Sequence, residues 1–255
     1  MLKNFLIIGT QRTGSSALAE ALGTHPMVTC GWEWTLQVPW SRKLEVAERA
    51  LAGDFSVLNQ ADQDHMAQVF DHDRVWLGFR CLFRSSNKWL VHPRFCPALW
   101  ADRLEDHLRW LARRPDIHVI HIVRRDGLEW LKSKFVSQAT KAYWGKSYPE
   151  VRVQIPPGEA IARLRAKDWV DGRLAALANS NPYLRLDYED LLADQEAVVA
   201  RALRFQQCDP SLAPVRERRL RRQSTGTAAN YVTNLDDLVV ALERHGLLVA
   251  QFDQR

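Results

Sequence analysis

The chain has 255 residues, of which 46% are hydrophobic and 25% are charged. This composition excludes general disorder, and the length suits one large domain, so we predict a single domain over residues 1–255. The 35 Lys and Arg residues against 30 Asp and Glu residues give a net charge of +5. That excess does not indicate nucleic-acid binding, because the arginines cluster only at 216–222 and no aromatic residues for base stacking lie among them.

Cysteine spacing and hydropathy narrow the class of protein further. The four cysteines are widely separated and form no C-x-x-C pair, so we expect neither a disulfide framework nor a zinc site. The first apolar run breaks at Gly9, which makes it too short for a signal-peptide core. No segment approaches the ~20 apolar residues of a membrane span. We therefore predict a soluble, cytoplasmic protein without a membrane span.

The first predicted element is a strand, a glycine loop and a helix in direct succession. Phe5–Ile8 is apolar like a buried strand, 9–14 is a tight loop between two glycines, and Ser15–Leu22 has Ala and Leu at helical spacing. A nucleoside-triphosphatase P-loop requires G-x-x-x-x-G-K-[ST], but Ser15 occupies the lysine position and the cation of this loop is Arg12. The N–H groups and the dipole at the helix start can still bind an anion. Because no Asp closes a clear apolar strand nearby to hold a metal, a metal-free anhydride donor fits the loop better than Mg-ATP.

The elements that follow alternate between helix and strand. We predict a helix over 41–52, a strand over 75–83 and a helix over 97–113 that is opened by a proline. Arg80 interrupts the strand, and an arginine in a central strand must find an anion or point out of the sheet. The sequence leaves two roles open for the Arg80 guanidinium: contact with the acceptor or sulfate of a reaction, or a structural ion pair.

A second motif follows the strand that is predicted over His118–Val123. Arg124-Arg125-Asp126 comes directly after this strand, and a helix is predicted to run on through Lys134. The carboxyl ends of strands are where open α/β sheets bind ligands. Ser133 follows Arg125 by eight residues, a little over two helical turns. With a further strand near residue 183, the alternation predicts an α/β fold with a mainly parallel central sheet covered by helices on both faces.

Together these motifs resemble the sulfotransferases that use 3′-phosphoadenosine 5′-phosphosulfate (PAPS), and they are nearest to the bacterial enzymes that act on carbohydrates and glycolipids. The 5′-phosphosulfate loop of the family reads basic-[ST]-G-[ST]-[ST], and this chain is similar to it in Arg12, Thr13, Gly14, Ser15 and Ser16. The resemblance implies that these residues bind the 5′-phosphosulfate. It also implies that Arg125 and Ser133, an arginine at a strand end and a serine eight residues later, bind the 3′-phosphate.

Two weaker likenesses lie nearer the C-terminus. Tyr188-Glu189-Asp190-Leu191 is similar to the start of a family helix, where carboxylates meet the helix dipole favourably, so we interpret it as scaffold rather than as a catalytic pair. The basic segment RRLRRQSTGTAANYVTN is similar to the loop that closes over the 3′-phosphate. Arg222 is the first candidate there, with Arg221 and Ser224 as neighbours, and a solvated basic loop is the alternative for each.

Sulfuryl transfer to a hydroxyl also needs a general base that takes the proton of the acceptor. The carbohydrate-modifying bacterial members place a glutamate after the first loop, and CGWEWT supplies Glu33 at a similar position. A carboxylate suits this task if a partly dry pocket raises its pKa, and Trp32 and Trp34 could form that wall or pack in the core. The histidine that the cytosolic members use is not recognisable here. A histidine brought in by the fold is the alternative base.

The resemblance therefore implies in-line transfer of a sulfuryl group from PAPS to an acceptor hydroxyl, without a metal. Glu33 would take the proton, and Arg12 would stabilise the developing charge. The ten tryptophans favour a saccharide or glycolipid acceptor, with Trp32, Trp34 and Arg80 as contact candidates. Two other functions stay open: a P-loop-type kinase that needs Mg²⁺ and ATP, and a non-catalytic module that binds adenosine bisphosphate. The oligomeric state is also open, a homodimer included.

Overall fold

The computed structural model describes residues 3–30, 43–57, 60, 63–64, 76–83, 97–141, 151–212, 214 and 226–248. The strands within these residues are β1 (Lys3–Thr10), β2 (Val28–Cys30), β3 (Trp76–Phe83), β4 (Ile117–Val123) and β5 (Tyr183–Asp187). They form one sheet in the order β2-β3-β1-β4-β5, and every neighbouring pair is parallel. The two strands that precede the predicted phosphate motifs, β1 and β4, therefore lie side by side.

Helices connect and cover these strands. Those within the described residues are α1 (Ser15–Leu22), α2 (Lys43–Leu51), α3 (Pro97–Ala112), α4 (Gly127–Thr140), α5 (Pro157–Ala175), α6 (Tyr188–Ala193), α7 (Gln195–Phe205), α8 (Ala228–Tyr231) and α9 (Leu235–Arg244). Short 3₁₀ turns lie at Phe55–Val57 and Ala176–Asn179. The predicted strand and helix around the first glycine loop are confirmed, and α1 has the predicted bounds.

The sheet is covered on both faces because β1 is apolar from Phe5 to Ile8 and successive side chains point to opposite sides. Leu6 and Ile8 pack in one cluster with residues of α2, α3 and α5. Phe5 and Ile7 pack in a second cluster with residues of α1, α6 and α7. The prediction of a parallel sheet covered by helices on both faces is confirmed.

A third cluster lies beside the sheet and supports the second motif. Trp130 and Leu131 of α4 are fully buried against apolar residues of α5, α8 and α9. Trp130 also contacts the loop after β1 through its ring nitrogen, and Ser133 and Lys134 contact the same loop. This packing holds α4 between the sheet edge and the C-terminal helices.

The helices α5, α8 and α9 were not predicted from the sequence, and two further elements differ from the sequence-based expectation. β2 was not predicted, because three residues are too few to show the alternation of a strand. α4 continues to Thr140, six residues past the predicted end at Lys134, and the buried Val136 and Ser137 belong to this extra length. Neither difference alters the order of strand, loop and helix at the two motifs.

Candidate functional site

The loop at 11–14, between β1 and α1, has an unusual backbone. Arg12 and Gly14 both have positive φ angles, 70° and 81°. A Cβ atom at Gly14 would lie 2.5 Å from the Tyr188 ring, so both the φ angle and the neighbouring ring require glycine there. Arg12 has no such freedom, and a non-glycine residue with positive φ marks a backbone that the surroundings hold in place.

The start of α1 faces this loop without a side-chain cap. Its first turn contains no acidic residue, and its first backbone bond is Leu18 N–H to Gly14 O at 3.1 Å. The Thr13 hydroxyl donates to Thr10 O at 2.9 Å, so it closes the loop rather than capping the helix. Because the first N–H groups of a helix have no carbonyl partner within the helix, this end of α1 suits an anion.

One face of α4 lies against the loop. Trp130 Nε1 donates to the Gln11 carbonyl oxygen at 2.7 Å, and Lys134 Nζ donates to the Gln11 side-chain oxygen at 2.5 Å. Between them, Ser133 Oγ accepts a hydrogen bond from Arg12 Nε at 3.0 Å. The three α4 residues have the three- and four-residue spacing that puts side chains on one helix face. A residue of the first motif thus contacts a residue of the second.

Arg124 holds the same loop from the end of β4. It is 6% exposed, its Nη1 donates to the Arg12 carbonyl oxygen at 3.3 Å, and its guanidinium lies 4.5 Å from the centre of the Tyr188 ring. Burial lowers the pKa of Arg124, while charges such as that of Glu129, 3.5 Å away, oppose this shift. Since the C=O and N–H of a trans peptide point in opposite directions, this bond turns the Thr13 N–H away from Arg124.

Arg125, the next residue, lies in a different environment. Its side chain is 45% exposed and is surrounded by three carboxylates that we call the acidic triad, Asp187, Glu189 and Asp190. Arg125 Nε lies 3.4 Å from Asp187 Oδ2 and 3.7 Å from Glu189 Oε2. Arg125 Nη2 donates to Asp190 Oδ1 at 3.4 Å. The two adjacent arginines therefore serve different parts of the site.

Carboxylates close the start of α4. The Asp126 side chain accepts from Glu129 N–H at 2.8 Å. The Glu189 carboxylate accepts from the backbone N–H groups of Arg125 and Asp126, at 3.2 and 3.0 Å. Burial is the largest cause that raises the pKa of Asp126. The start of α4 thus differs from that of α1, because side chains of this protein already occupy its donors.

Comparison with known proteins assigns this arrangement to a family. The sequence model of the sulfotransferase family matches residues 4–210, a range that includes both motifs. The chain belongs to the sulfotransferase family. As a member of this family it is an enzyme that transfers sulfuryl groups.

One sequence relative extends the likeness over nearly the whole sulfotransferase, and two solved structures are also similar to it. Nodulation protein H of Rhizobium meliloti (strain 1021) is 28% identical over 243 residues, which are 92% of this chain and 90% of that protein. The sulfotransferase from Alicyclobacillus acidocaldarius is 16% identical, with 84% of each chain covered and a TM-score of 0.41. The sulfotransferase domain from the curacin biosynthetic pathway is 14% identical over 98% of this chain and 93% of that one, with a TM-score of 0.46.

The described part of the sulfotransferase contains some of the predicted site residues. Thr13 and Gly14 lie in the loop, Ser15 and Ser16 begin α1, and Arg12 meets Ser133. Arg80 lies in β3 with its Cα opposite that of Ile7, but its side chain is outside the described part. The predicted residues Trp32, Glu33, Trp34 and Arg222 are also outside the described residues. The roles assigned to all of these residues stay predictions.

Sequence reasoning missed several residues that hold the loop or α4 in place. Lys132, which is 1% exposed, donates to Glu129 Oε2 at 2.5 Å and to Gly226 O at 2.7 Å, and so ties α4 to the C-terminal part of the enzyme. Arg124 and Lys134 contact the loop itself. Spacing along a helix could have grouped Lys134 with its neighbours on α4. No local signal distinguishes Arg124 from Arg125.

The described residues show neither a metal-binding cluster nor a membrane-spanning helix. In the ranges given above, no group of three or more His, Cys, Asp or Glu side chains is arranged to hold a metal ion. Among the helices that the structure describes, none is both long and apolar enough to span a bilayer.

Proposed function

We propose that this sulfotransferase takes its sulfuryl group from PAPS and transfers it to an acceptor hydroxyl, which leaves adenosine 3′,5′-bisphosphate. The observation that carries this proposal is the 3.0 Å hydrogen bond from Arg12 Nε to Ser133 Oγ. Arg12 belongs to the loop that resembles the 5′-phosphosulfate site, and Ser133 to the motif that resembles the 3′-phosphate site. PAPS carries phosphate groups on the 3′ and 5′ carbons of one ribose, so it needs two anion sites that lie next to each other.

The 5′-phosphosulfate would lie at the start of α1. The N–H groups at this helix start and the Arg12 guanidinium would supply fixed donors for the charge that grows on the bridging oxygen as the sulfuryl group leaves. Donors that are already in place stabilise the transition state without the cost of reorganising during the reaction. The bond from Arg124 to the Arg12 carbonyl supports this loop geometry. The reaction as proposed needs no metal.

The 3′-phosphate would be bound by Ser133 and Arg125, with Arg222 as a further partner. Ser133 lies two turns into α4 and already faces the loop, and Arg125 ends the loop after β4 with a half-exposed guanidinium. These contacts would distinguish PAPS from donors that lack the 3′-phosphate. The proposal for Arg222 depends on the sequence resemblance alone.

The acceptor side of the proposal depends on the sequence. We place Glu33 as the general base, flanked by Trp32 and Trp34, and we propose a hydroxyl of a saccharide or glycolipid as acceptor, with Arg80 as a further contact. Aromatic rings can pack on the apolar face of a sugar, while a partly dry wall raises the pKa of a carboxylate toward that of a useful base. A cytoplasmic location and a single domain over 1–255 belong to the same proposal.

The donor is tested with Arg125→Ala. Because a charge-assisted contact to phosphate contributes about 1.5–3 kcal/mol, the variant should bind PAPS and adenosine 3′,5′-bisphosphate at least ~10-fold more weakly. Calorimetric affinity for adenosine 5′-phosphosulfate, which lacks the 3′-phosphate, should barely change. Arg109→Ala is the matched control, since Arg109 is an exposed arginine paired with Asp106 on α3. Equal losses for both ligands would show that Arg125 is structural, and binding of ATP alone would favour a kinase.

The base is tested with Glu33→Gln, which keeps the shape of the side chain but cannot take a proton at neutral pH. Binding of adenosine 3′,5′-bisphosphate should stay within about threefold, while turnover falls by roughly 10² or more. The measurement pairs calorimetry with a transfer assay on a working acceptor. Near-full turnover would remove Glu33 as the base, and a joint loss of binding and turnover would make it structural. A native enzyme that binds the bisphosphate but transfers nothing would favour a non-catalytic module.

A further inference from the structure

The Arg125 side chain is already paired with carboxylates of this protein. Its guanidinium lies within 3.4–3.7 Å of all three members of the acidic triad. Two of those members have other tasks. Glu189 accepts the N–H groups of Arg125 and Asp126, and Asp187 also pairs with Arg185 at 3.2 Å. Among the residues that the structure describes, the Asp190 carboxylate has its side-chain contact with Arg125 alone.

A phosphate beside Arg125 would meet this negative charge. Like charges in proximity disfavour each other, so a 3′-phosphate must either draw the guanidinium away from the triad or share it with three carboxylates. Both routes lower the affinity that Arg125 alone would give. The geometry points to Asp190 as a residue that limits the affinity for the 3′-phosphate by competing for Arg125, and this inference rests on the proposed function.

The competition has a consequence for turnover. The 3′-phosphate is present on the donor and on the released adenosine 3′,5′-bisphosphate alike, so Arg125 contributes equally to holding substrate and product. Binding that is equal in the ground state and the transition state lowers KM without raising kcat, and excess affinity for a product slows its release. A carboxylate that competes for Arg125 therefore shortens the residence of the product. Asp190 is a positioning residue in this scheme, because it acts through Arg125.

The test is Asp190→Asn, which removes one charge with little change in shape. Exposed ion pairs are weak, so we expect the Kd for adenosine 3′,5′-bisphosphate to fall about 2- to 5-fold, with a matching decrease in its dissociation rate and in KM for PAPS. Asp106→Asn is the control, because Asp106 has the same 53% side-chain exposure and also pairs with an arginine, on α3. That control should leave the Kd unchanged.

A double variant shows whether the effect passes through Arg125. In an Arg125→Ala background, Asp190→Asn should lose at least half of its gain in affinity, because the competing pair no longer exists. The same gain in both backgrounds would mean a general field effect and would overturn the inference. Unchanged or weaker binding in Asp190→Asn would also overturn it, the latter by showing that Asp190 orients Arg125 productively. If the native enzyme does not bind the bisphosphate, or binds it without Arg125, the proposed function fails and the inference with it.

Discussion

The units β1–α1 and β4–α4 have the same plan but opposite surroundings at their helix starts. Both consist of a strand, a short loop and a helix, and their strands are neighbours in one parallel sheet. α1 begins without a side-chain cap or an acidic residue in its first turn. At the start of α4, the backbone N–H groups of Arg125 and Asp126 donate to the Glu189 carboxylate. The N–H of Glu129 donates to the Asp126 carboxylate. A strand–loop–helix pattern therefore does not by itself make an anion site.

What differs is the source of the binding groups. At α1 the binding groups that we propose are backbone N–H groups, because Arg12 and Gly14 adopt positive φ and the first turn of α1 itself contains no acidic residue. At α4 an anion would have to displace two carboxylates from backbone donors. That unit instead contributes side chains, of which Ser133 faces the loop. In the proposed donor site, the first unit would supply a backbone cradle, and the second would supply side chains that complete it.

The largest expected effect comes from Gly14→Ala, which destroys the cradle of the first unit. A Cβ atom would lie 2.5 Å from the Tyr188 ring, on a residue with a φ of 81°. Overpacking and the positive φ together should lower the free energy of unfolding by about 2–4 kcal/mol, and donor binding should be lost in the fraction that still folds. Thermal unfolding and calorimetry with adenosine 3′,5′-bisphosphate provide the measurement.

The control for that variant is Gly172→Ala near the C-terminal end of α5. Nothing lies within 4 Å of a Cβ atom at Gly172, so the alanine should stabilise the helix by about 0.8–1.0 kcal/mol. A Gly14→Ala variant that is as stable as the native enzyme and binds the bisphosphate normally would mean that the loop tolerates another backbone conformation.

An intermediate effect is expected for Glu189→Ala, which would remove one of the two carboxylates at the start of α4 and leave the Asp126 cap in place. The N–H groups of Arg125 and Asp126 lose their acceptor, so the free energy of unfolding should fall by about 1–2 kcal/mol. Urea unfolding measures the change. Glu196→Ala on α7 is the control, an exposed surface substitution expected to stay within ±0.5 kcal/mol. A loss no larger than that of the control would mean that water replaces the carboxylate without cost.

The smallest effect is expected for Asp126→Asn, which keeps the cap of α4 and removes its charge. Burial raises the pKa of Asp126 above the unfolded value near 3.8, so the protonated form is favoured on folding. Its contribution to stability is complete below the unfolded pKa and is lost as the pH rises through the raised folded pKa. Asparagine caps about as well as aspartate, so stability at neutral pH should change by less than about 1 kcal/mol.

Unfolding measured over a range of pH distinguishes the effect of the Asp126 charge from the effect of its capping hydrogen bond. Urea unfolding between pH 3.5 and pH 7, a window chosen around the unfolded pKa, should show a decline in the native enzyme that is weaker in Asp126→Asn. Asp126→Ala, which also removes the acceptor for Glu129 N–H, should lose about 1 kcal/mol at every pH. An asparagine variant that behaves like the alanine variant would show that the charge of Asp126, and not its acceptor, holds the helix start.

The sequence determined the parts of this protein that depend on neighbours along the chain. The apolar run before Gly9 predicts β1, the spacing of Ala and Leu predicts α1, and the two motifs predict a site at the ends of β1 and β4. These features follow from local periodicity and from the backbone freedom of glycine, which a single sequence displays. β2 was not predicted, because a strand of three residues is too short to show an alternating pattern.

Only the tertiary structure decided how those parts meet. The contact between Arg12 and Ser133 spans 121 positions of sequence, and the carboxylate that closes α4 comes from Glu189, more than sixty positions away. Nor does the sequence say that Arg124 is buried against the loop while Arg125 is half-exposed among carboxylates. These outcomes depend on the order in which strands pair and helices pack, and long-range pairing leaves no periodic signal in the segments that take part.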